Sequence, residues 1–487
     1  MQIFPAPNRG ARWLWRLLPL LAALTLAVPA GAAIPDAEAA SRHFRQWMTD
    51  NHVPGLVWGV VKDGELVHVE ALGVADVATG RAVTADTAFR IASMSKAFTA
   101  RAALRLAAEG RLALDAPAAR YVPELANWAP TVTVAELLHH TAGFVTDDPW
   151  GDRQQPMPEA DFTALLQQGV PFQRRPGTAY EYSNFGYATL GRVVTNVAAR
   201  NYAEEIRATI FRPLGMKSTT HDVGEVPKAR LALPFRWLDD RYQAEPTMAA
   251  GAFGAMGGVV TTAADYAKWL ALLLDDEDSL SRAMREGGGF LHVRGRPGTD
   301  GRQCASADAI YATGLVSARD CVLGRVLYHS GGYPGYGSHM LLLPDAGAAL
   351  FAFANRTYAG PAAPLWDVAG ELRRAGFLAD GALPISPALA TGYRAAIRIW
   401  NDRSIAAERA HLAMNVELDA SERQWADTLQ QLQAASGRCD TSAPITPDGA
   451  LSGRFQWRCE RGTLAGQLLL APDRNVRIQA LRLRHED

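Results

Sequence analysis

The sequence predicts an α+β protein of two lobes, one an antiparallel sheet and the other helical, followed by a small α+β module. Three observations predict it. Apolar runs of strand length stand near both ends of residues 55–354, at Gly55–Lys62 and again from Val322 to Ala354, so the sheet is assembled from distant segments. Between them, residues 93–275 are mostly helical in pattern, rich in Ala and Leu. After Asp380-Gly-Ala-Leu-Pro384-Ile-Ser-Pro387 the composition changes, and 487 residues leave room for a further domain of about 100 residues.

In chain order, residues 1–32 contain no acidic residue, three arginines (Arg9, Arg12, Arg16), an apolar run from Leu17 to Val28, and Ala30-Gly-Ala32. That is the pattern of a signal peptide cleaved after Ala32, and a periplasmic or secreted protein is expected. The run is short for a membrane span and is interrupted by Pro19, so no stable span is expected after cleavage. Without those arginines the 49 basic residues fall to 46 against 50 acidic ones, which argues against a nucleic-acid partner.

A helix is expected near residues 37–51, then strands at Gly55–Lys62 and Leu66–Leu72 turned at Asp63-Gly64. Strands around Tyr311–Val316, Val322–Ser330 and Ser338–Ala354, the last broken at Asp345-Ala-Gly347, complete one antiparallel sheet. Residues 33–380 are read as the catalytic domain and 388–487 as an accessory one. In the latter, residues 388–435 predict two or three helices, the last opened by the capping box Ser421-Glu-Arg-Gln424. Strands follow at Leu451–Cys459, Thr463–Leu470 and Val476–Leu483. This module carries no recognisable catalytic group. It reads either as a stabilising appendage or as a substrate or partner module.

All four cysteines lie late, and behind a signal peptide they predict two local disulfides, Cys304–Cys321 and Cys439–Cys459. Their spacing fits no zinc pattern, no His-Glu-x-x-His occurs, and neighbouring side chains such as those of His139 and His140 point apart on a helix. No metal and no cofactor are expected.

The chemistry lies in three short motifs. Ser93-Met-Ser-Lys96 opens a helical run, which puts a lysine one turn from a serine hydroxyl. A serine needs a base beside it to act as a nucleophile, and desolvation together with the helix dipole disfavours the lysine's ammonium form. Tyr182-Ser-Asn184 lies where a polar-aromatic loop enters another helical run. Tyr182, as a phenolate or as a shared-proton partner of Lys96, takes the serine proton and delivers it to the leaving group; the Asn184 amide holds Lys96 and a substrate carbonyl. Tyr180 and Tyr187 read as packed aromatics. His329-Ser330-Gly331-Gly332 follows an apolar strand, and its glycines permit close approach of a substrate backbone.

Together these motifs resemble the β-lactamase-related serine hydrolases: class C β-lactamases, D-alanyl-D-alanine carboxypeptidases, D-aminopeptidases and esterases of the same fold. Further stretches agree: Leu137-Leu-His-His140-Thr-Ala-Gly143, Pro213-Leu-Gly-Met216 and Gly257-Gly-Val-Val-Thr-Thr-Ala-Ala-Asp265. The resemblance covers roughly residues 38–378. It implies a serine β-lactamase/penicillin-binding-protein-like fold. It implies Ser93 as the acylated nucleophile, Lys96 and Tyr182 as the proton-transfer pair, and Asn184 as their orienting group. The oxyanion hole would be the N–H groups of Ser93 and Gly332, with His329 and Ser330 on the substrate edge and Gly331 between them.

One departure bears on substrate. Class C β-lactamases carry a lysine where this chain has His329, and a lysine anchors a β-lactam carboxylate that a neutral histidine does not. The expected activity is therefore amide or ester hydrolysis, of a D-amino-acid peptide or a small ester, on a small-molecule or peptide substrate. The alternatives are a β-lactamase, an acyltransferase using the same acyl-enzyme, or a non-catalytic binding or sensor protein. Oligomeric state is left open.

Overall fold

The computed structural model describes residues 34–128, 130–285, 289–292, 308–320, 322–378 and 385–486. The expected signal peptide and the Cys304–Cys321 pair lie outside the described residues. Helix α1 (Ala37–Asp50) opens the fold, with Asp36 accepting from the Ala39 N–H as its cap. Its buried Phe44 stacks on Trp58 at 4.6 Å between ring centroids.

A nine-stranded antiparallel sheet forms the first lobe. In chain order its strands are β1 (Gly55–Lys62), β2 (Glu65–Asp76), β3 (Arg81–Ala82), β4 (Gly289–His292), β5 (Asp308–Tyr311), β6 (Val316–Asp320), β7 (Gly324–Tyr333), β8 (Tyr336–Leu343) and β9 (Ala348–Ala354). Their spatial order is β3-β2-β1-β9-β8-β7-β6-β5-β4, so β1 pairs with the distant β9. β1, β8 and β9 are buried almost throughout, because both faces of the sheet are covered, and that is why they read as unbroken apolar runs. One face packs on the helical lobe through Val57, Val61, Met340, Phe351 and Phe353. The other packs on α1 and the later helix Ala362–Arg374 through Trp58, Leu350 and Leu365.

The helical lobe contains α2 (Lys96–Ala108), α3 (Asn184–Ala198), the short α4 (Gly254–Gly257) and α5 (Ala263–Leu274). Phe98 of α2 stacks on Trp269 of α5 at 4.1 Å, tying the helix that begins at Lys96 to the core. The expected strand over Tyr311–Val316 is instead the turn between β5 and β6. Gly314 is left-handed there (φ +74°), and a Cβ on it would stand 2.8 Å from the Ala100 Cβ and 2.9 Å from the Ala97 Cα. Packing of the turn against α2 breaks the strand.

The C-terminal residues form a separate core. Helices Pro387–Asp402, Met414–Asp419 and Glu422–Ser436 pack on a five-stranded antiparallel sheet through Trp400, Leu429, Trp457, Leu464 and Leu468. The Ser421–Gln424 capping box forms. Beyond the three expected strands, Cys439–Asp440 and Thr446–Gly449 also pair with the strand Ser452–Cys459. They escape a periodicity reading because they are short and Pro447 interrupts the second. Cys439 and Cys459 are directly opposed across the sheet and joined by a disulfide.

Candidate functional site

Ser93 sits in the 3₁₀ turn Ala92–Ser95, and Lys96 is the first residue of α2. The turn is held in a costly shape: Ala92 has φ +50°, a left-handed conformation disfavoured for a residue with a Cβ. Two buried hydroxyls clamp it. The Ser95 Oγ accepts from the Val259 N–H at 3.0 Å, and the Ser338 Oγ donates to the Ile91 carbonyl at 2.7 Å. The nucleophile is 7% exposed and the lysine beside it is fully buried.

The Lys96 Nζ donates to Ser93 Oγ at 3.0 Å, Asn184 Oδ1 at 2.7 Å and the Met256 carbonyl at 2.9 Å, and it stands 4.7 Å from the centre of the Tyr182 ring. Burial pushes its pKa down to about 8, against the pull of Asp148, Asp152 and Asp147 in the opposite direction. Tyr182 is driven well above the ordinary phenol range, chiefly by burial, although its hydrogen bond with Ser93 opposes the shift. The sequence left a phenolate and a shared proton as alternatives. With the phenol held protonated and the lysine able to lose its proton near neutrality, the arrangement favours Lys96 as the acceptor and Tyr182 as a proton carrier.

Asn184 starts α3. The Ser183 Oγ caps that helix by accepting from the Gly186 N–H at 3.0 Å, and the Asp147 carboxylate accepts from the N–H groups of Asn184 (2.6 Å) and Phe185 (2.8 Å). The Asn184 Oδ1 serves Lys96. Its Nδ2 donates to Asp148 at 3.0 Å and to Asp152 at 3.2 Å. Both of its donors thus meet carboxylates while its oxygen faces Lys96. The acidic loop approaches so closely that a Cβ on Gly151 would stand 2.8 Å from the Asn184 Cβ.

Across the cleft, pairing between β6 and β7 ends at Val316 with Tyr328, whereas β7 and β8 remain paired up to Tyr333 with Tyr336. Residues 329–332 therefore form a strand edge beyond the β6 pairing, and at Tyr333 the carbonyl accepts from the Tyr358 N–H at 3.3 Å. Counting back from the Pro334-Gly335 turn, Gly332 and Gly337 are a pair that does not exchange hydrogen bonds, so the Gly332 N–H points out from that edge. Gly331 allows the edge to lie on the nucleophile turn: a Cβ there would be 2.4 Å from the Ile91 carbonyl oxygen and 3.1 Å from the Ala92 Cβ.

His329 is buried on the nucleophile side. Its Nδ1 lies 2.6 Å from the Ser330 carbonyl oxygen and so carries the proton, which leaves Nε2 to accept from the Tyr311 hydroxyl at 3.0 Å. Burial and the nearby Lys96 push its pKa down to about 3, so the ring is neutral near pH 7. Ser330 lines the cleft, but its hydroxyl is bonded to His339 Nδ1 at 2.8 Å. His140 is left-handed (φ +56°) and accepts from the Ser183 N–H at 3.0 Å through Nδ1; its ring lies 4.3 Å from that of Tyr182. His139 turns elsewhere, to the Ala312 carbonyl.

The cleft has a volume of about 490 Å³ and brings Ser93, Tyr182, His329, Ser330 and Gly332 together, with Lys96 and Asn184 directly behind. It also contains Tyr180, Tyr311, Asp148, Asp152 and Tyr358, which sequence reasoning did not assign to the site. The signal for the carboxylates was Asp147-Asp148-Pro-Trp-Gly-Asp152, three acids within six residues. Among the described residues no group of three or more His, Cys, Asp or Glu side chains is placed to hold a metal.

The chain matches the Beta-lactamase family over residues 40–373. It is 30% identical to "Penicillin-binding protein 4" of Amycolatopsis lactamdurans over 334 residues, 64% of this chain and 83% of that one. It is 26% identical to "Protein flp" of Staphylococcus aureus (strain MW2), over 62% of this chain and 60% of that one. With "Esterase EstB" of Burkholderia gladioli it shares 34% identity over 209 residues, 39% of this chain and 53% of the relative. Among solved structures it resembles an octameric penicillin-binding protein homologue from Pyrococcus abyssi, with a TM-score of 0.59 and 19% identity over 93% of this chain and 97% of that one. A class C β-lactamase from Rhodobacter sphaeroides aligns with a TM-score of 0.54 and 23% identity, over 70% of this chain and all of that one.

Proposed function

Because the chain belongs to the Beta-lactamase family, we propose that this serine hydrolase cleaves D-amino-acid peptides or small esters through an acyl-enzyme on Ser93. The observation that carries the reading is the buried hydrogen bond between Ser93 Oγ and a lysine whose pKa is lowered to about 8. In the neutral form Lys96 takes the hydroxyl proton as Oγ attacks the carbonyl carbon. The oxyanion is met by the Gly332 N–H on the strand edge and by the Ser93 N–H, donors of a kind worth ~3 kcal/mol each. Tyr182 passes the proton to the departing amine or alcohol as the C–N or C–O bond breaks. Water then repeats the sequence on the acyl-enzyme, with the proton returning to Ser93. The relative named as an esterase supports the ester class. The neutral His329 supports ranking peptides and esters above β-lactams, whose carboxylate it does not anchor.

Export through cleavage after Ala32 belongs to the same reading, supported by the sequence of residues 1–32 and by the Cys439–Cys459 bridge, which suits an oxidising compartment. Among the described residues no helix is long and apolar enough to cross a membrane. The distinct C-terminal core supports a division into a catalytic domain, 33–380, and an accessory domain, 388–487.

The test is intact-mass spectrometry of the protein and its Ser93→Ala variant after exposure to a fluorophosphonate, with p-nitrophenyl ester turnover followed in parallel. A single adduct and turnover, both lost in a variant with an unchanged circular-dichroism spectrum, are expected. An adduct that persists in Ser93→Ala overturns the assignment.

A further inference from the structure

The carboxylates in the cleft have consequences for the substrate. Asp148 and Asp152 line the same cavity as Ser93, beside the rings of Tyr180, Tyr182 and Tyr358. Asp152 is only 2% exposed and is bonded to the Asn184 amide and to the Tyr358 hydroxyl, whereas Asp148 is exposed at the cleft wall. A third carboxylate, Asp147, stands behind them at the start of α3. Among the described residues no arginine or lysine lines the cavity; Arg153 acts on Tyr358 from outside the lining, and Lys96 lies behind Ser93. His329, the residue facing the nucleophile from the strand edge, is neutral. Burial pushes the Asp152 carboxyl up to about 7, so near pH 7 the wall's negative charge is carried by Asp148 with a share on Asp152, and together with the aromatic faces it attracts an ammonium group and repels a carboxylate.

The two sides of the reacting carbonyl are distinguishable. In a peptide the free ammonium lies on the acyl side of the scissile carbonyl and the free carboxylate on the leaving-group side, and the carboxylates, which stand beyond Asn184 from Lys96 and also act on Tyr182, favour the first.

We propose that Asp148 and Asp152, with Tyr358, form a subsite for a free ammonium group on the acyl part of the substrate. The enzyme is then an aminoacyl hydrolase, acting on substrates with an unblocked amine near the scissile carbonyl, rather than a carboxypeptidase that grips a terminal carboxylate. This rests on the Ser93 acyl-enzyme reading and names the substrate class for it.

The experiment compares three p-nitroanilides, of D-alanine, N-acetyl-D-alanine and N-succinyl-D-alanine, with p-nitrophenyl butyrate as a neutral reference, on wild type and on Asp148→Asn. Wild type is expected to prefer the free amine over the acetylated substrate by at least about tenfold in kcat/KM, and the succinylated one is expected to be poorest. In Asp148→Asn the amine-to-acetyl ratio should fall by about tenfold, whatever the variant does to absolute rates, because both substrates use the same proton-transfer groups. A wild-type ratio at or below one, or a ratio unchanged in the variant, overturns the subsite. Ser93-dependent turnover of the butyrate ester in that event leaves the serine hydrolase reading standing, while its absence sinks that reading first.

Discussion

Lys96 works only when neutral, so the carboxylates that raise its pKa restrain it, and removing one should quicken the enzyme in acid. With a pKa of about 8, roughly a tenth of the lysine is neutral at pH 7, and kcat/KM for a neutral ester should fall about tenfold per pH unit below the pKa. Asp148 reaches Lys96 through one amide: Nζ to Asn184 Oδ1 is 2.7 Å and Asn184 Nδ2 to Asp148 is 3.0 Å. That places the charges ~6–7 Å apart, and at an effective dielectric of ~20 their attraction is ~2.5 kcal/mol, or between one and two pKa units after screening. Asp148→Asn keeps an oxygen to accept from Asn184 and deletes the charge. The acidic limb of the profile should move down to about pH 6–7, raising kcat/KM for p-nitrophenyl butyrate by about ten- to fiftyfold at pH 6. The assay is initial rates at constant ionic strength from pH 5 to 9. A limb that stays at its wild-type position, or moves upward, refutes the assignment of that limb to Lys96 under the control of these carboxylates. A uniform loss at every pH with a shifted limb reports only a displaced Asn184.

Gly331→Ala should be harmful to both stability and rate. The new Cβ would lie 2.2 Å from Ser338 Oγ and 2.4 Å from the Ile91 carbonyl oxygen, in the clamp on the nucleophile turn. Overpacking of that kind costs ~1–3 kcal/mol, read as a lower Tm together with a fall in kcat; an unchanged Tm with kcat within twofold refutes the clamp. Reduction of Cys439–Cys459, which closes a separation of 20 residues, should remove ~3 kcal/mol from the C-terminal core by the loop-entropy relation. Chemical denaturation with and without reductant, on a Cys304→Ser, Cys321→Ser background, checks it; coincident curves contradict a stabilising bridge.

The motifs were legible because each uses a short-range rule. A lysine three residues after a serine at a helix start, a tyrosine and an asparagine at another helix start, and a glycine pair on a strand are local patterns with chemical meaning, and the structure brings the first two within hydrogen-bonding reach and the third into the same cleft. The sheet was legible for a similar reason, since strands covered on both faces leave unbroken apolar runs. What escaped depends on contacts between distant segments. The acids at 147–152 reach the site only through folding, which places them on the Asn184 amide groups, 32 to 37 residues away. The turn at Gly314 reads as strand because the helix that forces it is more than 200 residues earlier in the chain. The bond from the Ser330 hydroxyl to His339 crosses between two strands, which the motif alone does not show.

The same charges tie substrate recognition to the base. Burial alone lowers the pKa of Lys96, and three carboxylates push it back up. At pH 7, therefore, about nine-tenths of the lysine is in the form that cannot accept the serine proton. An ammonium group seated on Asp148 and Asp152 would neutralise part of that field at a few ångströms from Lys96, and added positive charge always lowers the pKa of a neighbouring amine. The favoured substrate thus frees the base as it binds. A neutral acyl group leaves the lysine as it was, and a carboxylate raises its pKa further, so the charge that excludes it from the subsite also switches off the nucleophile. Discrimination then falls on kcat as well as on KM, because the interaction acts on the proton-transfer step and not only on binding.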